Sequence, residues 1–179
     1  MTRWQPDIMG QRVANLIFCY DWYAQSAAEN FQARVAQSVA LQSKCLALDW
    51  QRLSEQTAQV TALKGLLVAQ SALGAKTEDL AALFELMLPL IDQVTHSDGG
   101  HKSRMPDKHI RLMRDLIEIR YTASSFKIRG TAQLDKKISQ MASVCRMWRH
   151  ADGQFARFNG AGETVKEVIE ETLARAGQR

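Results

Sequence analysis

Asp98-Gly99-Gly100-His101-Lys102-Ser103-Arg104-Met105-Pro106 separates two long helical patterns, and the fold is read outward from it. Two adjacent glycines let the backbone reach dihedral values that other residues avoid. His96, Asp98, His101, Lys102, Ser103 and Arg104 crowd polar groups into the same turn. A second polar turn, Arg149-His150-Ala151-Asp152-Gly153, follows one helical hairpin later. Together the two turns hold three of the four histidines, and His109 comes just after the first. This distribution places the functional surface at the two loops and makes the helices their scaffold.

Working outward, every long segment has helical periodicity. Pro6 and Asp7 start a helix through Val13, Leu16, Ile17 and Tyr20 to about Tyr23. Its aromatic group, Phe18, Tyr20, Trp22 and Tyr23, is expected to lie in the core or in a helix–helix contact rather than to form a sugar-stacking surface. A second helix covers residues 27–53, with Phe31, Val35, Val39, Leu46 and Trp50 as its buried stripe. A third covers residues 55–73 and stops at Gly74. Thr77 is placed to cap the fourth helix, with Glu78 and Asp79 against the positive end of its dipole. Apolar residues on nearly every face suggest that this helix is covered on several sides, and Pro89 should bend it. The fifth helix starts at Asp107, and the sixth runs from Thr131 to Trp148. Thr164-Val165-Lys166-Glu167 reads as a capping box opening a last amphipathic helix, which dissolves into Ala176, Gly177, Gln178 and Arg179. No stretch gives a convincing strand, and no repeat at a fixed period stands out.

The fold class is therefore all-α, about seven helices in antiparallel hairpins. The fifth and sixth helices are matched at about 18 residues, rising about 1.5 Å per residue. Their outer ends should meet at one level and bring the two polar loops together.

With 179 residues the chain can bury one substantial core. A net charge of +4 is mild and does not mark a nucleic-acid binder. Cys19, Cys45 and Cys145 are far apart, which excludes a Cys-x-x-Cys metal site and a disulfide framework, so buried thiols are expected. Residues 1–7 carry no apolar signal-peptide core, no apolar run is long enough for a membrane span, and the compartment stays open. No cofactor or metal is implied.

No nucleophile elbow, phosphate-binding glycine loop or His-Glu-x-x-His motif is present. His101 beside Arg104 carries more chemistry, because arginine can pair a carboxylate through two parallel hydrogen bonds. Imidazole moves a proton near neutral pH. His101 and His150 are the candidate proton-transfer groups. His96, Asp98, Arg104, Arg149, Asp152 and Asn159 are the candidate ligand-binding residues, with Arg104 or Arg149 on a sugar carboxylate.

Three blocks then resemble one known family. They are Trp4-Gln5-Pro6-Asp7-Ile8-Met9-Gly10-Gln11-Arg12, the 98–106 stretch quoted above, and Arg149-His150-Ala151-Asp152-Gly153-Gln154-Phe155-Ala156-Arg157-Phe158-Asn159-Gly160-Ala161-Gly162-Glu163. They are similar, in order and separation, to the heparinase II/III-like family in its alphaproteobacterial branch. The resemblance implies an α/α toroid followed by an antiparallel β-sandwich domain. It also implies polysaccharide lyase activity on uronate-containing chains such as heparan sulfate or alginate, by β-elimination. On that expectation residues 1–150 form the later part of the toroid. Residues 151–179 form a loop and terminal helix leading toward a β-sandwich domain that this chain lacks. The partners implied are an acidic polysaccharide and that sandwich domain.

The chain also departs from the family pattern. Relatives continue the Asp-Gly block into a segment with a catalytic tyrosine, where this chain has Met105, Pro106, Asp107 and Lys108. The Asn or Asn-His pair that relatives carry on a preceding helix is absent from residues 57–64. These departures favour the alternative reading, a non-catalytic helical module that binds carbohydrate or a protein partner.

Overall fold

A computed structural model describes residues 4–177. The polar start at residues 1–3 and the tail at residues 178–179 lie outside the described residues. Eight α-helices are present among them: α1 (Pro6–Phe18), α2 (Tyr20–Tyr23), α3 (Glu29–Asp49), α4 (Gln56–Ala72), α5 (Thr77–Val94), α6 (Pro106–Ser125), α7 (Thr131–Met147) and α8 (Lys166–Arg175). A 3-10 turn at Trp50–Arg52 follows α3. Among the described residues the extended pairs are isolated bridges rather than strands, so the all-α class holds. No helix among them is long and apolar enough to cross a membrane.

The helix limits follow local chemistry. Pro6 and Pro106 occupy first-turn positions, where the missing N–H costs nothing. Gly74 takes φ +78° after α4, and Ala75 N–H bonds to Gln70 O across it, a glycine stop that satisfies the last carbonyls. After α6 the same geometry falls on Lys127 at φ +54°, with Ile128 N–H bonding to Ala123 O. Val165, not Thr164, precedes α8, and no side chain caps it, so the expected capping box does not form. Thr77 lies inside α5 rather than capping it.

The chain divides into two compact units, residues 1–90 and 91–179. The boundary falls within α5, just after Pro89, which cannot donate a backbone hydrogen bond. In the first unit α4 is the central helix, with Val60 and Ala62 through Ala69 all buried. α1 and α3 pack on it. Gly10 and Gly65 make the α1–α4 approach possible. A Cβ on Gly10 would lie 2.6 Å from Thr61 O, and one on Gly65 would strike the Gly10 backbone. Lys64 is buried at this crossing, its Nζ donating to Gln11 Oε1 at 2.7 Å.

Four expectations are corrected along the chain. The predicted first helix breaks at Cys19 into α1 and α2. Its aromatic group is largely outside the core: Trp22 is 89% exposed and α2 buries nothing. Tyr23 instead bonds Leu16 O and meets Tyr20 and Phe31 edge-on. Cys19 and Cys45 are exposed, and only Cys145 is buried. α5 is not covered all round either. It buries one stripe, Leu80, Phe84, Met87, Ile91 and Val94, and leaves Leu86 exposed.

In the second unit α6 is the central helix, packed on α7 and α8 and burying Ile110, Leu112, Met113, Leu116, Ile117 and Ile119. α6 has 20 residues and α7 has 17, so the hairpin brings its outer ends to one level. The two polar turns meet there.

Candidate functional site

The first turn leaves α5 and folds back on itself. Thr95 bridges His101 in antiparallel fashion. His96 N–H donates to Gly100 O at 2.8 Å, Gly99 N–H to His96 O at 3.0 Å, and Lys102 N–H to Val94 O at 2.9 Å. Asp98 Oδ1 accepts the Gly100 N–H at 2.8 Å. Gly99 takes φ +87°. A Cβ on it would lie 2.6 Å from Gln140 Cβ and 2.8 Å from Met141 N, so the turn is seated on the backbone of α7. Gln140 Nε2 donates to Ser97 O at 3.3 Å, and Lys137 Nζ reaches both Thr95 Oγ1 and Asp92 Oδ1 at 3.0 Å.

The polar side chains of this turn are already engaged. Arg104 takes φ +54°, a costly value for a residue with a Cβ, and its Nη1 donates to Asp98 Oδ2 at 2.8 Å. The Gly100 N–H first, and the Arg104 side chain second, hold the Asp98 carboxyl below the usual carboxylate range. His101 is only 4% exposed. Its Nδ1 accepts the Ser103 N–H at 3.1 Å and lies 2.8 Å from Ser103 Oγ. That bond makes Nδ1 the unprotonated nitrogen.

His109, on α6, ties the turn to the rest of the unit. Its Nδ1 accepts the His101 N–H at 3.1 Å, so Nε2 carries the proton and donates it to Met141 O at 3.0 Å. Trp148 meets the His109 ring edge-on at 5.0 Å, and Phe158 meets Trp148 at 5.3 Å. Burial pushes the His109 pKa down to about 4. The Met141 carbonyl opposes that shift, and neighbouring His101 adds to it.

The second turn repeats the first, 54 residues on. Arg149 bridges Phe155 as Thr95 bridges His101. His150 N–H donates to Gln154 O, Gly153 N–H to His150 O, and Ala156 N–H to Trp148 O. Asp152 Oδ1 accepts the Gln154 N–H at 2.9 Å, and Gly153 takes φ +88°. The sequence follows the same spacing: Thr77, Leu80, Met87, His96, Asp98 and Gly99 match Thr131, Leu134, Met141, His150, Asp152 and Gly153. Buried positions correspond too, Phe84 with Ile138, Ile91 with Cys145, and Val94 with Trp148. The chain therefore carries a two-copy repeat of helix and turn, contrary to the expectation of none. Two copies give no run of periods to notice, and most matches preserve burial rather than residue type.

Asn159 joins the two loops. It takes φ +52°, and its Nδ2 donates to Ser103 O at 3.3 Å and Arg104 O at 3.4 Å. The remaining candidate residues are placed differently from one another. Arg149 donates from Nε to Gly153 O at 3.2 Å and pairs with Glu170 Oε1 at 2.6 Å. His96 is half-buried, while His150 and Asp152 are exposed. Two groups that the sequence reading passed over, His109 and Trp148, hold the loops in register. Among the described residues no group of three or more His, Cys, Asp and Glu is arranged to hold a metal.

No family model matches the chain, and no solved structure matches it. Over 164 residues, 90% of its length, the chain is 27% identical to the FtsZ-localized protein C of Caulobacter vibrioides. It spans 28% of the length of that relative.

Proposed function

We propose that this chain is a non-catalytic helical interaction module built on a heparinase II/III-like α/α toroid scaffold. The observation that carries the reading is the state of the loop chemistry. His101 is buried with Nδ1 given to Ser103, Arg104 is paired with Asp98, and Arg149 is paired with Glu170. A lyase needs a base and a carboxylate clamp open to substrate, and these groups are spent on the protein itself. The relative's name, FtsZ-localized protein C, supports association with a protein assembly as the role of such a module. In a longer polypeptide a β-sandwich domain would complete it.

A polysaccharide lyase reading is favoured by one specific feature. His150 is exposed beside Asp152, in the block most similar to the heparinase II/III-like family. On that reading His150 transfers the proton in β-elimination from a uronate polysaccharide, with Arg104, Arg149, His96 and Asn159 around the sugar acid. Incubation with heparin, heparan sulfate and alginate, followed by absorbance of the unsaturated uronate, separates the two readings. The module reading expects no product from any of the three, and co-sedimentation of the chain with FtsZ polymers. Product formation that His150→Ala abolishes would overturn it.

A further inference from the structure

The break at Cys19 sets an aromatic shelf on the surface of the first unit. α2 follows α1 directly, is four residues long and buries nothing. The Tyr23 hydroxyl donates back to Leu16 O at 3.0 Å. Tyr20 meets Tyr23 edge-on at 6.1 Å, and Tyr23 meets Phe31 of α3 edge-on at 6.3 Å. The Gln32 side-chain amide is shared among the carbonyls of Ala24, Gln25 and Ala27, all within 3.1 Å, and ties the chain after α2 to α3. The shelf is therefore held in shape by its own contacts, and binding does not have to order it. Trp22 takes no part in that support. It is 89% exposed, Phe18 is 40% exposed, and Tyr20, Tyr23 and Phe31 are half-buried. Folding leaves this aromatic area unused, and Trp and Tyr are the side chains on which protein interfaces concentrate their energy.

The charge of the shelf is opposite to that of the chain. Residues 13–33 contain no Lys or Arg, and their only charges are Asp21, beside Trp22, and Glu29, in the first turn of α3. The whole chain carries +4. Both carboxylates are exposed, and no ion pair with a described residue engages either. The negative end of α1 also falls here, with no basic residue in its last turn. An aromatic face in a negative field attracts a cation, and tryptophan does so best. The chain makes that contact once internally: Arg12 Cζ lies 5.6 Å from the centroid of the Trp4 ring. Among the described residues no cation lies over Trp22 in this way. The two carboxylates repel an acidic polysaccharide, and a neutral sugar stacked on the indole would leave them unused.

We propose that Trp22, Asp21 and Glu29 form a docking surface for an arginine-bearing segment of a partner protein. One guanidinium stacks on the indole and pairs with Asp21, and a neighbouring arginine reaches Glu29. Arginine is preferred to lysine because its planar group both stacks on a ring and pairs a carboxylate. This deepens the interaction-module reading and rests on it.

A capped octapeptide of alternating Arg and Gly is titrated into the isotope-labelled chain at low salt, and amide and indole N–H shifts are followed by NMR. Shifts centred on residues 18–31, including the Trp22 indole, are expected. The same peptide with Glu in place of Arg should leave them unmoved. Trp22→Ala should weaken binding about fivefold, the scale of one cation–π contact. Asp21→Asn with Glu29→Gln should weaken it comparably, and all three side chains are exposed, so these variants keep the fold. Absence of shifts at residues 18–31, equal shifts from the Glu peptide, or unchanged affinity in Trp22→Ala would overturn the proposal. Shifts there with cellohexaose and none with the Arg peptide would make the shelf a sugar-stacking surface. Shifts that grow with the concentration of the chain alone would give it to a second copy. Either result overturns the proposal. If the Arg peptide fails while the chain still co-sediments with FtsZ polymers, the docking chemistry is wrong and the module reading survives. Formation of unsaturated uronate in the lyase assay would remove both.

Discussion

Replacing His109 tests whether one buried imidazole holds the loop cluster together. His109→Ala leaves the His101 N–H and the Met141 carbonyl without their partner in a buried site. Each orphaned group costs about 1–3 kcal/mol, and the lost edge contact with Trp148 adds about 0.5–1.5 kcal/mol. The expected loss is about 2.5–7.5 kcal/mol, a large part of the stability of a domain this size. The pH dependence carries an independent signature. The His109 pKa falls from 6.5 to about 4 on folding because burial disfavours the charged ring. Unfolded chains therefore bind this proton near pH 6.5 and folded chains do not until about pH 4. The stability that depends on a neutral His109 is full above pH 6.5 and is lost as pH falls toward 4. At 1.36 kcal/mol per unit that amounts to about 3 kcal/mol. His109→Gln keeps a donor and an acceptor but cannot titrate, so its urea-unfolding free energy should fall less steeply between pH 6.5 and 4.5. The difference in slope should approach about 1.4 kcal/mol per pH unit, the effect of one proton. Equal slopes for the parent chain and the Gln variant would refute the assignment, as would an Ala variant within about 1 kcal/mol of the parent.

Other substitutions test the scaffold. Gly99→Ala should lower thermal stability more than Gly153→Ala. Both carry the left-handed penalty of about 1–2 kcal/mol, but only Gly99 also overlaps helix backbone; equal melting shifts would count against the difference in cover. Gly65→Ala should force α1 from α4 and cost about 1–3 kcal/mol or more in chemical denaturation. α3 leaves Leu41, Cys45 and Leu48 exposed on one stripe, so the chain should self-associate, and Leu41→Glu with Leu48→Glu should return it to a monomer in sedimentation velocity.

The helices were legible because their signals are local. Proline starts, glycine stops and apolar periodicity located α4, α6 and α7 to within a residue or two of their limits. The meeting of the two loops followed from matched helix lengths. What the sequence hid depends on tertiary context. Lys127 stops α6 in the conformation usually left to glycine, and nothing in its identity announces that. The exposure of Trp22 and Leu48 could not be read either, because periodicity names an apolar face without saying what covers it. His101 looked like a free proton carrier, since a histidine in a glycine-rich polar turn carries no mark of burial. Its engagement becomes visible only once Ser103 and His109 are placed around it.

The duplicated turn separates what the backbone needs from what a partner can use. The turn needs Asp98 and Asp152 to accept the amide two residues on, and Gly99 and Gly153 to take positive φ. Those identities are therefore explained without any ligand, and their agreement between the copies says nothing about binding. Positions that the turn leaves free have diverged: Asp92 against Arg146, Thr95 against Arg149, Arg104 against Phe158. In the first copy these positions close the turn, through Lys137 on Asp92 and Thr95 and through Arg104 on Asp98. In the second copy Phe158 is drawn to Trp148 instead, and Asp152 is exposed. Both copies spend variable side chains on intramolecular contacts, the second through Arg149 on Glu170 and Gly153 O and through Phe158 on Trp148, while Arg146 and His150 stay exposed.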